Sequence, residues 1–222
     1  MQDDSTDQQG YFITLEGGEG AGKTTLRDRL AERLTQLGHS CLCTREPGGT
    51  EVGRTLRSLL LQGGDLAIET ELLLYAADRA EHVASTIGPA LQAGQVVLCD
   101  RFTDSTVAYQ GYGRQLDLAV IEQLNRIATG GLTPHLTLWL DIPVREGLQR
   151  ARTRAQQTYE SLDRLEQAAI AFHERLHSGF RQLALNCPER IRRVDASQDR
   201  EQVVADAWAM VTARYPQLSQ PA

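Results

Sequence analysis

Residues 17–24, GGEGAGKT, stand between a run that reads as a strand and a run that reads as a helix. That placement constrains the fold more than any other feature of the chain. The pattern is Gly17-x-x-x-x-Gly22-Lys23-Thr24, and glycines at 17, 18, 20 and 22 let the backbone curl with successive N–H groups pointing inward. The helix N-terminus adds its own unpaired donors, so the loop is built to receive phosphates. Gly17, Gly18, Glu19, Gly20, Ala21, Gly22, Lys23, Thr24 and Thr25 form the expected ATP-binding run. Lys23 would reach the β- and γ-phosphates as a point charge, and Thr24 would offer its hydroxyl to Mg2+. Lys23 is also the single lysine among 23 basic residues. A compact ammonium fits inside such a loop where a planar guanidinium does not. The competing reading, a glycine-rich turn that matches by accident, has odds on the order of one in a hundred from residue frequencies.

The rest of the chain fits a sheet behind this loop. Apolar runs at 11–16, 40–44, 95–100, 135–141 and 190–196 read as five strands. Helical periodicity fills 23–37, 51–62, 68–93, 103–110, 116–129, 144–155, 163–185 and 199–213. Helices between successive short strands predict a three-layer α/β domain, a five-stranded parallel sheet covered on both faces. Residues 1–9 and 215–222 read as disordered tails around a domain at 10–214. No apolar run approaches the roughly 20 residues that span a bilayer. A net charge of −6 argues against a nucleic-acid surface. Cys41, Cys43, Cys99 and Cys187 form no C-x-x-C pair, and buried thiols in a reducing cytoplasm are the expectation.

A phosphate loop gives binding, not a reaction. GTPase switches read guanine with Asn-Lys-x-Asp, which a chain whose one lysine is Lys23 does not contain. A small kinase, with a second phosphate-bearing substrate opposite ATP, is the compact option left. Asp100 and Arg101 follow the apolar strand VVLC, so they emerge at its carboxyl end, where open α/β sheets bind ligands. Asp100 is placed to join the Mg2+ shell, and Arg101 to fork an acceptor phosphate. Tyr75 and Arg79 are spaced i, i+4 on one helix face.

The motifs TREPGGT (44–50), YAADRAEH (75–82), DRFTDSTVAYQGYGR (100–114) and DRLE (163–166) follow the phosphate loop in order. Together they resemble the bacterial thymidylate kinases, a family of P-loop nucleoside monophosphate kinases, over about residues 11–210. The resemblance implies transfer of the ATP γ-phosphate to dTMP with Mg2+, a mobile lid at about 144–166, and a homodimer. It further implies that Tyr75 stacks on thymine while Arg79 bonds a base carbonyl. Ser105 or Thr106, together with Gln110, is implied near the base, Tyr109 beneath the sugar, and Glu19 at the 3′-hydroxyl. Arg45 and Arg57 are candidates for further acceptor-phosphate contacts. The variable loop positions Gly18, Glu19, Gly20 and Ala21 carry no base, so cations are expected from the lid segment, which holds Arg150, Arg152, Arg154 and Arg164. On a helix Arg150 and Arg154 share a face. Arg154 is the first choice, and Arg150 the second, for a built-in arginine finger.

Overall fold

The computed structural model describes residues 10–158 and 163–222. The tail expected at 1–9 and the middle of the expected lid, 159–162, lie outside the described residues. Five strands, Tyr11–Glu16 (β1), Cys41–Arg45 (β2), Val96–Asp100 (β3), Leu136–Asp141 (β4) and Ile191–Asp195 (β5), pair in the order β2-β3-β1-β4-β5, all parallel. Helices Lys23–Gln36 (α1), Glu51–Gln62 (α2), Ile68–His82 (α3), Gly88–Gln92 (α4), Thr103–Thr106 (α5), Leu118–Thr129 (α6), Val144–Thr158 (α7), Ile170–Asn186 (α8) and Arg200–Arg214 (α9) connect and cover them.

Burial explains why the three central strands read as near-continuous apolar runs. All five residues of β3 are buried, as are Phe12 to Glu16 of β1, because helices cover both faces. Ile13 and Leu15 face a core with Leu26, Leu30 and Leu34, the i, i+4, i+8 stripe of α1. Phe12, Val97 and Cys99 face the opposite side with Ile87 and Phe102. A third cluster sets Trp139 and Tyr109 against Phe172, Leu176 and Phe180 of α8.

Three expectations differ. The helix expected over 68–93 contains a π-helical turn at Val83–Ile87 between α3 and α4, where Pro89 has no N–H to return to residue 85. The helix expected over 163–185 starts only at Ile170, because Asp163 Oδ1 accepts the N–H groups of Leu165 and Glu166 (2.8 Å each) and holds residues 163–169 in turns. The tail expected at 215–222 is ordered instead. Pro216–Ser219 forms a 3₁₀ turn, Leu218 is buried, and Ala222 N–H donates to Leu37 O at 2.8 Å. A stretch of eight residues is too short for its periodicity to show this.

Candidate active site

The order β2-β3-β1-β4 places the carboxyl ends of β1, β2 and β3 side by side, with Arg45 and Asp100 in register and Leu15 opposite Asp100. Every loop that leaves those ends opens on one crevice, as expected for an open α/β sheet. A cavity of about 690 Å³ lies there. Its walls take Glu19 to Gly22 from the loop after β1, Lys23 to Thr25 from the start of α1, Arg45 and Arg57 from β2 and α2, and Tyr75 and Arg79 from α3. Asp100 and Arg101, then Ser105, Thr106, Tyr109 and Gln110, come from the end of β3 and the helical turns beyond it, and Arg154 comes from α7.

The loop after β1 runs close to α7. Gly20 has φ +67, and a Cβ there would lie 2.0 Å from Gly147 O, so only glycine fits. Lys23 is the first residue of α1, and its Nζ donates to Gly17 O (3.1 Å) and Gly18 O (2.8 Å). Gly17 and Gly18 thus serve the lysine with their carbonyls and do not line the cavity themselves. Burial first, then the Arg101 charge, lowers the Lys23 ammonium to about 8. Beside it, Thr24 Oγ1 donates to Asp100 Oδ2 at 2.6 Å.

Arg101 sits at φ +73, unusual for a side chain of its size. Its Nη1 donates to Gly17 O (3.1 Å) and Ser105 Oγ (3.3 Å), and its Nη2 to Glu19 Oε1 (2.9 Å). The guanidinium lies 4.7 Å from the Tyr109 ring centre, and the Tyr109 hydroxyl donates to the same Glu19 oxygen at 2.5 Å. Burial alone would raise the Glu19 carboxyl, but Arg101, Lys23 and the Tyr109 hydroxyl hold it down to about 2. Arg57 bonds Pro47 O through Nη1 at 2.9 Å. Burial, then the charges of Arg45 and Arg101, push Arg57 below its ordinary value, the sign of arginines crowded on one wall.

A family model described as thymidylate kinase matches residues 15–207. The thymidylate kinase of Synechococcus sp. (strain JA-2-3B'a(2-13)) is 60% identical over 205 residues, covering 92% of this chain and 96% of that protein. Those of Cyanothece sp. (strain PCC 7425) and Desulfovibrio desulfuricans are 51% and 53% identical, over 95% and 91% of this chain and 99% and 95% of theirs. The chain belongs to the thymidylate kinase family. As a member of that family it is a phosphotransferase.

Other expected site residues of the kinase are already engaged by neighbours. Arg79 is buried, with Nε on Glu46 Oε2 (2.8 Å), Nη1 on Thr106 Oγ1 (2.9 Å) and Asn125 Oδ1 (2.8 Å), and Nη2 on Phe102 O (3.1 Å). Four of its five donors are used, leaving one N–H without a partner among the described residues. Gln110 Nε2 donates to the buried Glu71 at 2.8 Å. Tyr75 is half-buried on the cavity wall, and burial raises its hydroxyl.

The two expected lid arginines separate. Arg154 lines the cavity and pairs with Glu166, whose carboxyl is raised by burial and then by the Asp163 and Glu19 carboxylates, which the half-exposed Arg154 does not offset. Arg150 does not line it, since its guanidinium donates to Ala196 O (2.8 Å) and Glu146 Oε1 (2.6 Å). Although the two share a helix stripe, Arg150 does not reach the wall of this cavity as Arg154 does. Arg152 is exposed and outside the cavity wall. Arg164 is likewise outside it, bonded to Glu71 Oε2 (2.5 Å) and Leu60 O (3.2 Å).

Sequence reasoning passed over Glu16. Its Oε1 accepts the N–H groups of Phe102 (2.7 Å) and Ser105 (3.3 Å), and its Oε2 bonds Ser105 Oγ (2.5 Å). These bonds fix the turn that carries Arg101. Ser105 is therefore committed to Glu16 and Arg101 more than to a base. Full burial, then the Asp104 carboxylate, pushes Glu16 above the usual carboxylate range. The folded state then keeps a proton that the unfolded chain releases, so stability falls as pH rises through that interval. Glu16→Gln keeps a carbonyl acceptor for the N–H groups of Phe102 and Ser105 and removes the titrating proton. Its melting temperature relative to wild type is expected to be higher at pH 9 than at pH 6. A difference independent of pH would contradict this assignment.

Proposed function

We propose that the cavity transfers the γ-phosphate of ATP to dTMP, giving dTDP, with ATP phosphates in the Gly17–Thr25 loop and dTMP between Tyr75 and Arg101. The family of the chain supports the reaction. The observation that carries the site is the wall formed by Arg45, Arg57 and Arg101 facing the buried Lys23. Like charges held this close destabilise one another unless an anion lies between them. Two phosphate groups meeting head to head supply that anion, and the transfer spreads further charge onto the same oxygens.

In this reading Arg101, Arg45 and Arg57 hold the acceptor phosphate, Tyr75 stacks on the base, and Arg79 gives its remaining N–H to a base carbonyl. Tyr109 lies under the sugar and Glu19 receives its 3′-hydroxyl. The acceptor is already an anion, so no general base is needed and positioning with charge stabilisation carries the step. The Thr24 hydroxyl and the Asp100 carboxylate, 2.6 Å apart, are hard oxygen donors of the kind Mg2+ takes, with phosphate oxygens and water completing its shell. When bound there, Mg2+ neutralises charge on the phosphate oxygens.

The segment at about 144–166 acts as a lid, and Arg154 reaches the transferring phosphate from it. In an ADP-release assay with ATP and dTMP, Arg154→Ala is expected to lower kcat by about 10²–10³-fold. Arg150→Ala is expected to stay within about threefold, because its guanidinium serves Ala196 and Glu146. Equal losses in the two variants would remove Arg154 from this role.

The enzyme works as a homodimer in the cytoplasm. Leu59 of α2, Leu73 of α3 and Val120 and Ile127 of α6 are all exposed, Ile127 by 70%, on helices that pack in series. Ile127→Glu is expected to shift the sedimenting species toward monomer. All four cysteines are free thiols, and among the described residues no helix is long and apolar enough to cross a membrane.

A further inference from the structure

Glu71 stands one helical turn before Tyr75 and is 1% exposed, yet four N–H donors converge on it. Its Oε1 accepts Gln110 Nε2 at 2.8 Å and Arg114 Nε at 3.3 Å. Its Oε2 accepts Arg114 Nη2 at 3.2 Å and Arg164 Nη2 at 2.5 Å. Burial would raise this carboxyl, but the bonds from Gln110, Arg114 and Arg164 more than offset it and hold Glu71 below its ordinary value. An ionised carboxylate has acceptors only.

The consequence falls on Gln110. A primary amide has one donating end and one accepting end, and facing a carboxylate it must turn its NH2 that way. Its Oε1 is then fixed on the opposite side. Gln110 lines the cavity, and among the described residues no protein group donates to that oxygen. Nor is it one of the buried oxygens left without a partner, so it opens on the cavity. Arg79, on the same wall, has one N–H left after its four internal bonds. The wall therefore presents one fixed acceptor and one fixed donor.

We propose that Glu71 is a specificity-determining positioning residue. By pinning the Gln110 amide it presents a carbonyl oxygen to the acceptor base and selects pyrimidines that carry an N3–H beside a C4 carbonyl. Thymine and uracil match the fixed pair. Cytosine reverses both groups, with a lone pair at N3 and an amino group at C4, so acceptor meets acceptor and donor meets donor. Such a mismatch leaves buried polar groups unpaired, which discriminates more strongly than a change in shape. Either arginine beside it is enough to keep Glu71 charged, and a charged Glu71 keeps the amide from turning over.

This inference rests on the placement of the base by Tyr75 and Arg79 proposed above, and adds Gln110, which lines the same cavity, as its third contact. The test measures kcat/KM for dTMP and for dCMP in wild type and four variants, with KM for ATP and thermal melting followed alongside. Glu71→Gln lets the amide pair turn either way. Glu71→Asp keeps the charge for the arginines but draws the carboxylate back from Gln110 by about 1.5 Å, and it decides the matter if the first variant does not fold. In both, the dTMP-to-dCMP ratio is expected to fall about 10-fold or more, through a raised KM for dTMP with KM for ATP little changed. Arg114→Ala leaves the Gln110 bond in place and is expected to keep the ratio. A merely structural Glu71 would lower both acceptors alike, and an unchanged ratio overturns the proposal. Collapse of the ratio in Arg114→Ala also overturns it, since the ion cluster and not the amide would then select. Gln110→Ala separates the two levels. If that variant keeps the ratio, the base does not lie against Gln110, and the placement fails together with this inference. If it loses the ratio and the Glu71 variants do not, only the role of Glu71 fails.

Discussion

Lys23→Ala lowers kcat with ATP and dTMP by about 10³-fold or more, a loss of roughly 4 kcal/mol of transition-state stabilisation, and Lys23→Arg does not restore it. The reason is steric as well as electrostatic. Nζ hangs between Gly17 O at 3.1 Å and Gly18 O at 2.8 Å, and the residue is 8% exposed. A planar guanidinium has no room between those carbonyls and cannot deliver a point charge to phosphate oxygens from inside the loop. Recovery of Lys23→Arg to within tenfold of wild type would show that charge alone is needed. The free enzyme adds a pH signature. With the ammonium lowered to about 8, it is protonated below that pH and neutral above it. Hence kcat/KM for ATP, which reports the free enzyme, is expected to fall as pH rises through about 8. Bound phosphates favour the charged form, so kcat should hold to higher pH.

What the sequence revealed and what it hid divide along a physical line. The central strands were legible because a sheet buried on both faces needs near-continuous apolar runs, as in Phe12 to Leu15, interrupted only by Thr14, and Val96 to Cys99. The phosphate loop was legible because its glycines, Lys23 and Thr24 are adjacent in the chain. The cavity wall itself, from Tyr75 through Arg101 to Gln110, was indicated by motifs in order. Hidden were the partners that each side chain finds across the fold. Nothing local joins Arg79 to Glu46 and Asn125, or Glu71 to Gln110, Arg114 and Arg164, at separations of 33, 46, 39, 43 and 93 residues. Helical spacing put Arg150 and Arg154 on one stripe, yet one turn of helix carries Arg150 past the cavity to Ala196. Glu16 read as the last residue of a strand. Its buried carboxyl shows only where the turn after β3 folds back over β1, with Arg101 N–H on Leu15 O at 3.0 Å.

That turn carries the second large effect. Arg101→Ala is expected to lower kcat/KM for dTMP by about 10³-fold while KM for ATP stays within a few-fold, and Arg101→Lys to recover only part of the loss. Three N–H groups of Arg101 are held by Gly17 O, Ser105 Oγ and Glu19 Oε1, and the guanidinium plane rests near the Tyr109 ring. Two N–H groups remain for an acceptor phosphate, already oriented before it arrives. A lysine supplies charge without that fixed pair. A comparable loss in KM for ATP would place Arg101 on the donor side instead. The backbone provides an independent check. At φ +73 a residue with a Cβ is strained by about 1 kcal/mol, and glycine is not. Arg101→Gly and Arg101→Ala remove the same guanidinium, so both should lose the same activity. They should differ in stability, with the glycine variant melting higher than the alanine variant. Equal melting temperatures would mean that the turn relaxes once the arginine is gone, and that the Glu16 bonds to Phe102 and Ser105 do not hold it in place. Higher melting at equal inactivity would show that the fold tolerates a strained residue there because its guanidinium is needed at that point.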